Sequence, residues 1–344
     1  MPIIEATGLA RTYQSRKRVV HAVRGVDLTV DEGEIVGFLG PNGAGKTTTL
    51  RMLTTLLRPT AGRATVAGAD LLRDPLGVRR RIGYVPQAIG QTMGGTDNQA
   101  KVSEELHDQA ALYRIGRADG ARRAEALLGQ LDLGGLGDRL VKTLSGGQRR
   151  RLEIALGLVH EPPIVFLDEP TTGLDPQSRS NLWDHIRRLR SDLGTTVFLT
   201  THYLEEADAL CDRVIIIDNG VTVASGTPDE LKRHVSGDVV TLKVSGPAGQ
   251  ARSLLAAQPI VRDVAESDEE LRLTVEHGEE ALPALLRALD GAGMTISSIS
   301  LSRPTLDDVF LTLTGRSLRD DSPSSSGHHG ASDDKPELTP VGKE

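Results

Sequence analysis

Residues Gly40 to Thr47 read Gly-Pro-Asn-Gly-Ala-Gly-Lys-Thr and fit the pattern G-x-x-x-x-G-K-[ST]. The apolar run Glu34-Ile35-Val36-Gly37-Phe38-Leu39 before it predicts a buried strand, and Thr48-Thr49-Leu50-Arg51-Met52-Leu53 after it predicts a helix. That strand–turn–helix setting separates the octet from a glycine-rich turn that merely holds a lysine. Any Cβ would crowd a di- or triphosphate, so glycines let backbone N–H groups converge on its oxygens. The helix N-terminus adds a partial positive charge facing the anion. Lys46 is placed to reach β- and γ-phosphates, and the Thr47 hydroxyl to ligate Mg²⁺.

A chain of 344 residues exceeds the size at which one core stops growing, so two domains and a tail are expected. With 3% aromatic residues, the core must rest on Leu, Val, Ile and Ala. A net charge of −7 argues against a nucleic-acid surface as the main business, and no nucleic-acid partner is expected. The basic run Arg149-Arg150-Arg151 is left as a candidate local contact. Cys211 is the only cysteine, which rules out an internal disulfide and fits a reducing compartment. Met1-Pro2-Ile3-Ile4-Glu5 lacks the order of a signal peptide, and no stretch approaches ~18 consecutive apolar residues. A membrane role would therefore come through a partner.

Short β-branched strands are expected at 34–39, 82–85, 164–167, 196–200 and 214–218, as in a sheet covered on both faces. Asn219-Gly220 marks a hairpin, and Thr227-Pro228-Asp229-Glu230 a capping box opening a helix. After about Val235 the predicted order is β-α-β-β-α-β, with strands at 239–244, 261–265, 271–275 and 295–301 and helices at 248–257 and 279–289. That is the split βαβ plan of a small α+β domain. The Ser-, Gly- and Pro-rich segment from Leu318 cannot bury enough apolar surface to fold alone and is expected to be disordered.

Ile164-Val165-Phe166-Leu167 runs straight into Asp168-Glu169. In P-loop ATPases the first carboxylate holds Mg²⁺ and an acidic neighbour polarises the attacking water, which assigns Asp168 to the metal and Glu169 to the general base. Leu144-Ser145-Gly146-Gly147-Gln148 precedes a helix with Leu152, Ala155, Leu156 and Val159 on one face. Its serine and glycines (Ser145, Gly146, Gly147) form a second, lysine-free anion site at a helix start. One chain seldom needs two phosphate sites for one nucleotide unless the second belongs to its neighbour.

Leu-Ser-Gly-Gly-Gln is the signature sequence of ATP-binding cassette (ABC) proteins, and the chain resembles that family over roughly residues 4 to 315. The resemblance implies an α/β fold: a P-loop NTPase (RecA-like) ABC ATPase core with antiparallel β and α-helical subdomains, plus a small C-terminal α+β domain. It divides the chain into a cassette at 1–234 (helical subdomain about 88–160), an accessory domain at 235–317 and a tail at 318–344. It implies ATP and Mg²⁺ as ligands, with Gly40, Pro41, Asn42, Gly43, Ala44, Gly45, Lys46, Thr47 and Thr48 around the nucleotide. In a head-to-tail homodimer, Ser145, Gly146, Gly147 and Gln148 of one subunit close over the γ-phosphate held by the other. Tyr13 matches the aromatic that stacks on adenine; a tyrosine packing in an edge strand is the other reading. Gln87 matches the glutamine that contacts Mg²⁺ or the attacking water. Asp175, in Thr-Thr-Gly-Leu-Asp-Pro, matches the loop that signals across the dimer, and His202 the switch histidine that touches the γ-phosphate.

Within the family the chain resembles the daunorubicin-resistance type, which energises drug export through a separate multi-span permease of ABC-2 type. The ATPase then sits peripherally on the cytoplasmic face of the plasma membrane. Pro86-Gln87-Ala88-Ile89-Gly90 carries that resemblance, as does Leu306-Asp307-Asp308-Val309-Phe310-Leu311. In relatives the second motif stabilises the ATPase pair and its assembly with the permease; a short amphipathic helix capping the small domain is the alternative, and the two are compatible. A longer polar segment from Gln91 to Gln99 departs from the pattern and weakens any statement about permease or cargo. Export of lipid or polysaccharide, or a non-transport ABC ATPase, is the alternative function. Against the latter stand a single cassette, no sustained heptad run, and an intact Gln87, Glu169 and His202.

Overall fold

The computed structural model describes residues 2–15, 18–87, 99–235, 237–245, 248–267, 270–302 and 304–314. Most of the polar departure (91–98) and the whole tail from 318 lie outside the described residues.

Two long strands, β1 (Pro2–Ser15) and β2 (Arg18–Asp31), lead to β3 (Ile35–Leu39), which runs through the glycine-rich loop into α1 (Lys46–Leu53). Strands β4 (Ala61–Val66) and β5 (Ala69–Asp70) precede α2 (Pro75–Arg81) and β6 (Ile82–Val85). The helices α3 (Val102–Leu112), α4 (Arg117–Gln130) and α5 (Gly146–Leu158) follow. Next come β7 (Ile164–Asp168), α6 (Pro176–Leu193), β8 (Thr196–Thr201), α7 (Leu204–Leu210), β9 (Arg213–Asp218), β10 (Val221–Gly226) and α8 (Pro228–Val235). The last part is β11 (Asp238–Ser245), α9 (Ala248–Ala256), β12 (Val261–Ser267), β13 (Glu270–Val275), α10 (Gly278–Gly291), β14 (Thr295–Ser302) and α11 (Leu306–Thr314).

Among the described residues the strands form three sheets. The central one has the order β10-β9-β3-β8-β7-β6, parallel except for the β9–β10 hairpin. The hairpin turns at Asn219 and Gly220, both with positive φ (48° and 80°), as a type I′ turn requires. Because side chains alternate across a strand, Val165, Leu167, Val197 and Leu199 enter one apolar cluster while Phe38, Phe166 and Phe198 enter another on the opposite face. The three phenylalanines touch in sequence, with centroids 5.6 Å apart at each contact. The first cluster is roofed by α3 to α6 and the second by α1 and the antiparallel sheet β2-β1-β4-β5.

Burial on both faces leaves the carboxyl ends of the parallel strands as the place where polar groups can gather. The segments that leave β3, β6, β7 and β8 all start from that edge, and they bring Lys46 at the start of α1, Gln87, Glu169 and His202 to it.

The third sheet, β12-β13-β11-β14, is antiparallel throughout, the pairing that the split βαβ order produces. Its apolar cluster is its own. Helix α11 does not cap it: Leu306, Val309 and Phe310 are buried in the cluster of the central sheet, against α7 and α8.

Candidate functional site

The loop after β3 is shaped by what lies behind it. A Cβ on Gly40 would sit 2.2 Å from the Ile217 carbonyl oxygen, so no other residue fits there. Gly45 adopts φ 107°, a left-handed conformation closed to side-chain-bearing residues, and a Cβ there would meet the Ala22 carbonyl at 2.6 Å. Lys46, 4% exposed, donates to the carbonyls of Gly40 (2.7 Å) and Pro41 (3.0 Å), and its Nζ lies 3.5 Å from Glu169 Oε1. Burial lowers its pKa, against the opposing pull of the Glu169 and Asp168 carboxylates.

Asp168, at the end of β7, accepts from the hydroxyls of Thr200 (2.7 Å) and Thr47 (3.1 Å) on one oxygen. Burial raises its pKa despite these bonds. Glu169 turns off the strand at φ 44°, and its N–H donates to Thr200 Oγ1. One carboxylate oxygen, Oε2, accepts from Gln87 Nε2 (2.8 Å) and Thr172 Oγ1 (3.2 Å) and lies 3.2 Å from His202 Nδ1. Burial alone would raise its pKa, but the His202 contact, the Lys46 charge and the Thr172 bond together hold it below the usual carboxylate value. The result is an ionised carboxylate in a cleft of about 200 Å³, lined by Asn42, Gly43, Lys46, Thr48, Gln87 and Glu169 among others.

A second depression, of about 340 Å³, lies between two helix starts. Ser145 caps α5 in a reciprocal box, its Oγ accepting from Gln148 N (3.3 Å) and its N–H donating to Gln148 Oε1 (3.1 Å). Asp175 caps α6, accepting from Ser178 N at 2.9 Å, with Pro176 at the first helical position. Its bonds with Ser178 lower its pKa. A Cβ on Gly147 would meet Ser178 Oγ at 3.3 Å, so glycine lets the two helix starts abut. Ser145, Gly147, Gln148, Arg151, Asp175 and Ser178 are among the lining residues, and none of the residues lining this depression lines the first cleft.

Residues 23–172 match the ABC transporter family, and residues 226–314 match the C-terminal domain of DrrA1-3-like ATP-binding proteins. The daunorubicin resistance ATP-binding protein DrrA3 of Streptomyces coeruleorubidus is 44% identical over 319 residues, covering 92% of this chain and 97% of the relative. This chain belongs to the ABC transporter ATP-binding proteins. A Nod factor export ATP-binding protein I of Ralstonia nicotianae is 38% identical over 93% of the chain and 96% of its own length. Among solved structures, a dimeric post-hydrolysis state of an ATP-binding cassette bound to ADP and Pi superposes with a TM-score of 0.58 at 26% identity, over 65% of this chain and 98% of that one. The chain is thus an ABC ATPase with a P-loop core, and no helix among the described residues is long and apolar enough to cross a membrane.

The fold of the ABC ATPase gathers Lys46, Thr47, Gln87, Asp168, Glu169 and His202 around one cleft and places Ser145 to Gln148 beside Asp175 in another. Tyr13 is not among the cleft's lining residues; it is 40% exposed, with the Arg11 guanidinium 4.8 Å above its ring. The Arg149-Arg150-Arg151 run is no basic surface. Arg150 is 7% exposed and bonds three carbonyls and Glu153, while Arg151 reaches Asn181 and His185. Sequence reasoning missed Thr200 and Arg150. The signals were there: a threonine in a fully buried strand needs a hydroxyl partner, and an Arg–Glu pair at i, i+3 sits on an otherwise apolar helix face.

Proposed function

We propose that this ABC ATPase works as a head-to-tail homodimer that energises efflux of a drug or other amphipathic compound. The compound crosses through a separate membrane permease of ABC-2 type, with the ATPase at the cytoplasmic face of the plasma membrane. The observation that carries the reading is the division of anion-binding groups between two depressions with no lining residue in common. One supplies lysine and the hydrolytic carboxylate; the other offers two helix N-termini but neither of these. Two copies related head to tail complete each other's site, and the dimeric cassette bound to ADP and Pi supports that pairing.

In this mechanism the backbone N–H groups of residues 40–48 cradle the phosphates and Tyr13 stacks on adenine. Lys46 exchanges the Gly40 and Pro41 carbonyls for β- and γ-phosphate oxygens. The Thr47 hydroxyl and Asp168 carboxylate, 3.1 Å apart, are hard oxygen donors of the kind Mg²⁺ takes, with Gln87 beside them. Mg²⁺ bound there supplies electrostatic stabilisation of the phosphate charge. Glu169 accepts the proton of the attacking water, His202 hydrogen-bonds the γ-phosphate, and the partner's signature loop covers it. Asp175 passes the state of one site to the other. Closing on ATP and opening after phosphate release drives the permease between two states.

The test is size analysis of purified Glu169→Gln with MgATP. A nucleotide-dependent dimer that Lys46→Ala does not form is expected; Glu169→Gln staying monomeric at saturating ATP overturns the reading. Export of lipid or polysaccharide is the second cargo class and has less behind it, since the Nod factor export relative is 38% identical against 44% for the daunorubicin resistance one. Daunorubicin accumulation in cells expressing the chain with its permease decides between them.

A further inference from the structure

Glu169 holds its carboxylate in the cleft by adopting φ 44°, uncommon for a residue with a side chain. Something must hold that kink, and one guanidinium brackets it. Arg150 Nη2 donates to the Asp168 carbonyl (3.1 Å) and Nε to the Pro170 carbonyl (2.9 Å), the peptide oxygens on either side of Glu169. Nη1 donates to the Pro86 carbonyl (2.7 Å), immediately before Gln87. The same nitrogen pairs with Glu153 Oε2 at 2.9 Å, so the charge is balanced within α5 and is not directed at the cleft. Only a planar fork of fixed donors can serve three carbonyls at once. Arg150 lies in the second turn of the helix that Ser145 caps.

We propose that Arg150 is a positioning residue: it fixes the reach of Glu169 and Gln87 and ties both to the signature helix. Seating of the signature loop on the neighbour's nucleotide then adjusts the chain's own hydrolytic pair. This second consequence rests on the head-to-tail reading; the first does not.

The test uses the full chain carrying Arg150→Gln, and Arg150→Lys in case the first does not fold, since lysine keeps the charge beside Glu153 but cannot span three carbonyls. Thermal melting and binding of a fluorescent ATP analogue establish folding and cleft integrity. Expected is a kcat lower by about a hundredfold with KM within about threefold, the pattern of a displaced catalytic group. In a Glu169→Gln background the Arg150 substitution should add little further loss, because both act on one group. A merely structural role would lower melting temperature and ATP affinity together and would multiply with Glu169→Gln. A folded Arg150→Gln with kcat within about threefold of wild type overturns the proposal. The coupling is read separately, as a Hill coefficient for ATP above one in wild type that falls to one in the variant. A wild type that hydrolyses ATP without cooperativity removes the coupling, the pairing itself being judged by the Glu169→Gln dimer, while the kcat loss still judges the positioning role.

Discussion

The nucleotide cleft and the signature face are built in opposite ways. In the cleft, bonds join residues far apart in sequence: Thr47 to Asp168 across 121 positions, Gln87 to Glu169 across 82. On the signature face, Ser145 bonds Gln148 and Asp175 bonds Ser178, each only three positions away, and both capping residues are exposed. The cleft therefore exists only when the whole sheet is folded, and its polar groups satisfy one another. A nucleotide entering must displace Lys46 from two carbonyls. The signature face is two helix caps side by side, complete as soon as its helices are. It has nothing to rearrange, only something to meet.

The largest effect should come from separating the two. Lys46→Ala removes the charge-assisted donor and should weaken ATP binding by about ten- to a hundredfold in the isolated chain, measured by titration with a fluorescent analogue. Ser145→Ala should leave that affinity within about threefold while lowering turnover at saturating ATP by a larger factor. Equal losses of binding in both variants would mean that one chain's signature loop already touches its own nucleotide. Ser145→Ala also loses a helix cap worth about 1 kcal/mol, so its melting temperature should fall slightly.

A smaller effect distinguishes how the base is tuned. As the proposed base Glu169 works ionised, so activity should fade as pH falls through its pKa, and its depressed value should extend activity toward acid. Thr172→Val deletes one of the bonds that depress it. The acid limb of kcat/KM should move to higher pH while the alkaline limb stays. An unmoved acid limb would show that His202 and Lys46 suffice.

How much of this was legible in the sequence follows the same division. The octet at Gly40, the strand ending at Asp168-Glu169 and the capped starts at Ser145 and Thr227 announce themselves because local geometry demands particular residues there. The long strands β1 and β2 do not, since their register shifts break the alternation that marks a strand. The Arg150–Glu153 spacing marked a buried ion pair, but not the clamp, because its other partners are backbone carbonyls, which every residue carries. Helix α11 advertised an apolar face through Leu306, Val309 and Phe310, but not that this face lies against α7 and α8. Amphipathicity says that a face is buried and leaves the partner open.

The smallest predicted effect lies on the strut between the two regions. His160, just beyond the C-terminal end of α5, stacks on Tyr113 with ring centroids 3.7 Å apart and planes 4° from parallel, and its Nε2 lies 3.0 Å from the Ile82 carbonyl at the start of the strand leading to Gln87. Burial is the main cause that lowers its pKa from 6.5 to about 4, against the Ile82 bond, with the Arg123 charge lowering it further. The folded protein therefore keeps the ring neutral where the unfolded chain would protonate it. Stability from this site is fully present above pH 6.5 and is lost as pH falls from there toward about 4. His160→Phe keeps a ring for the stack but cannot titrate or bond the carbonyl. It should melt lower than wild type at pH 7, by about 1–2 °C for each kcal/mol lost in a chain of 344 residues. The difference should shrink as the pH is taken to 5. A constant difference across that range would show that the ring takes up its proton in the fold as readily as in the unfolded chain, so that burial does not hold it neutral.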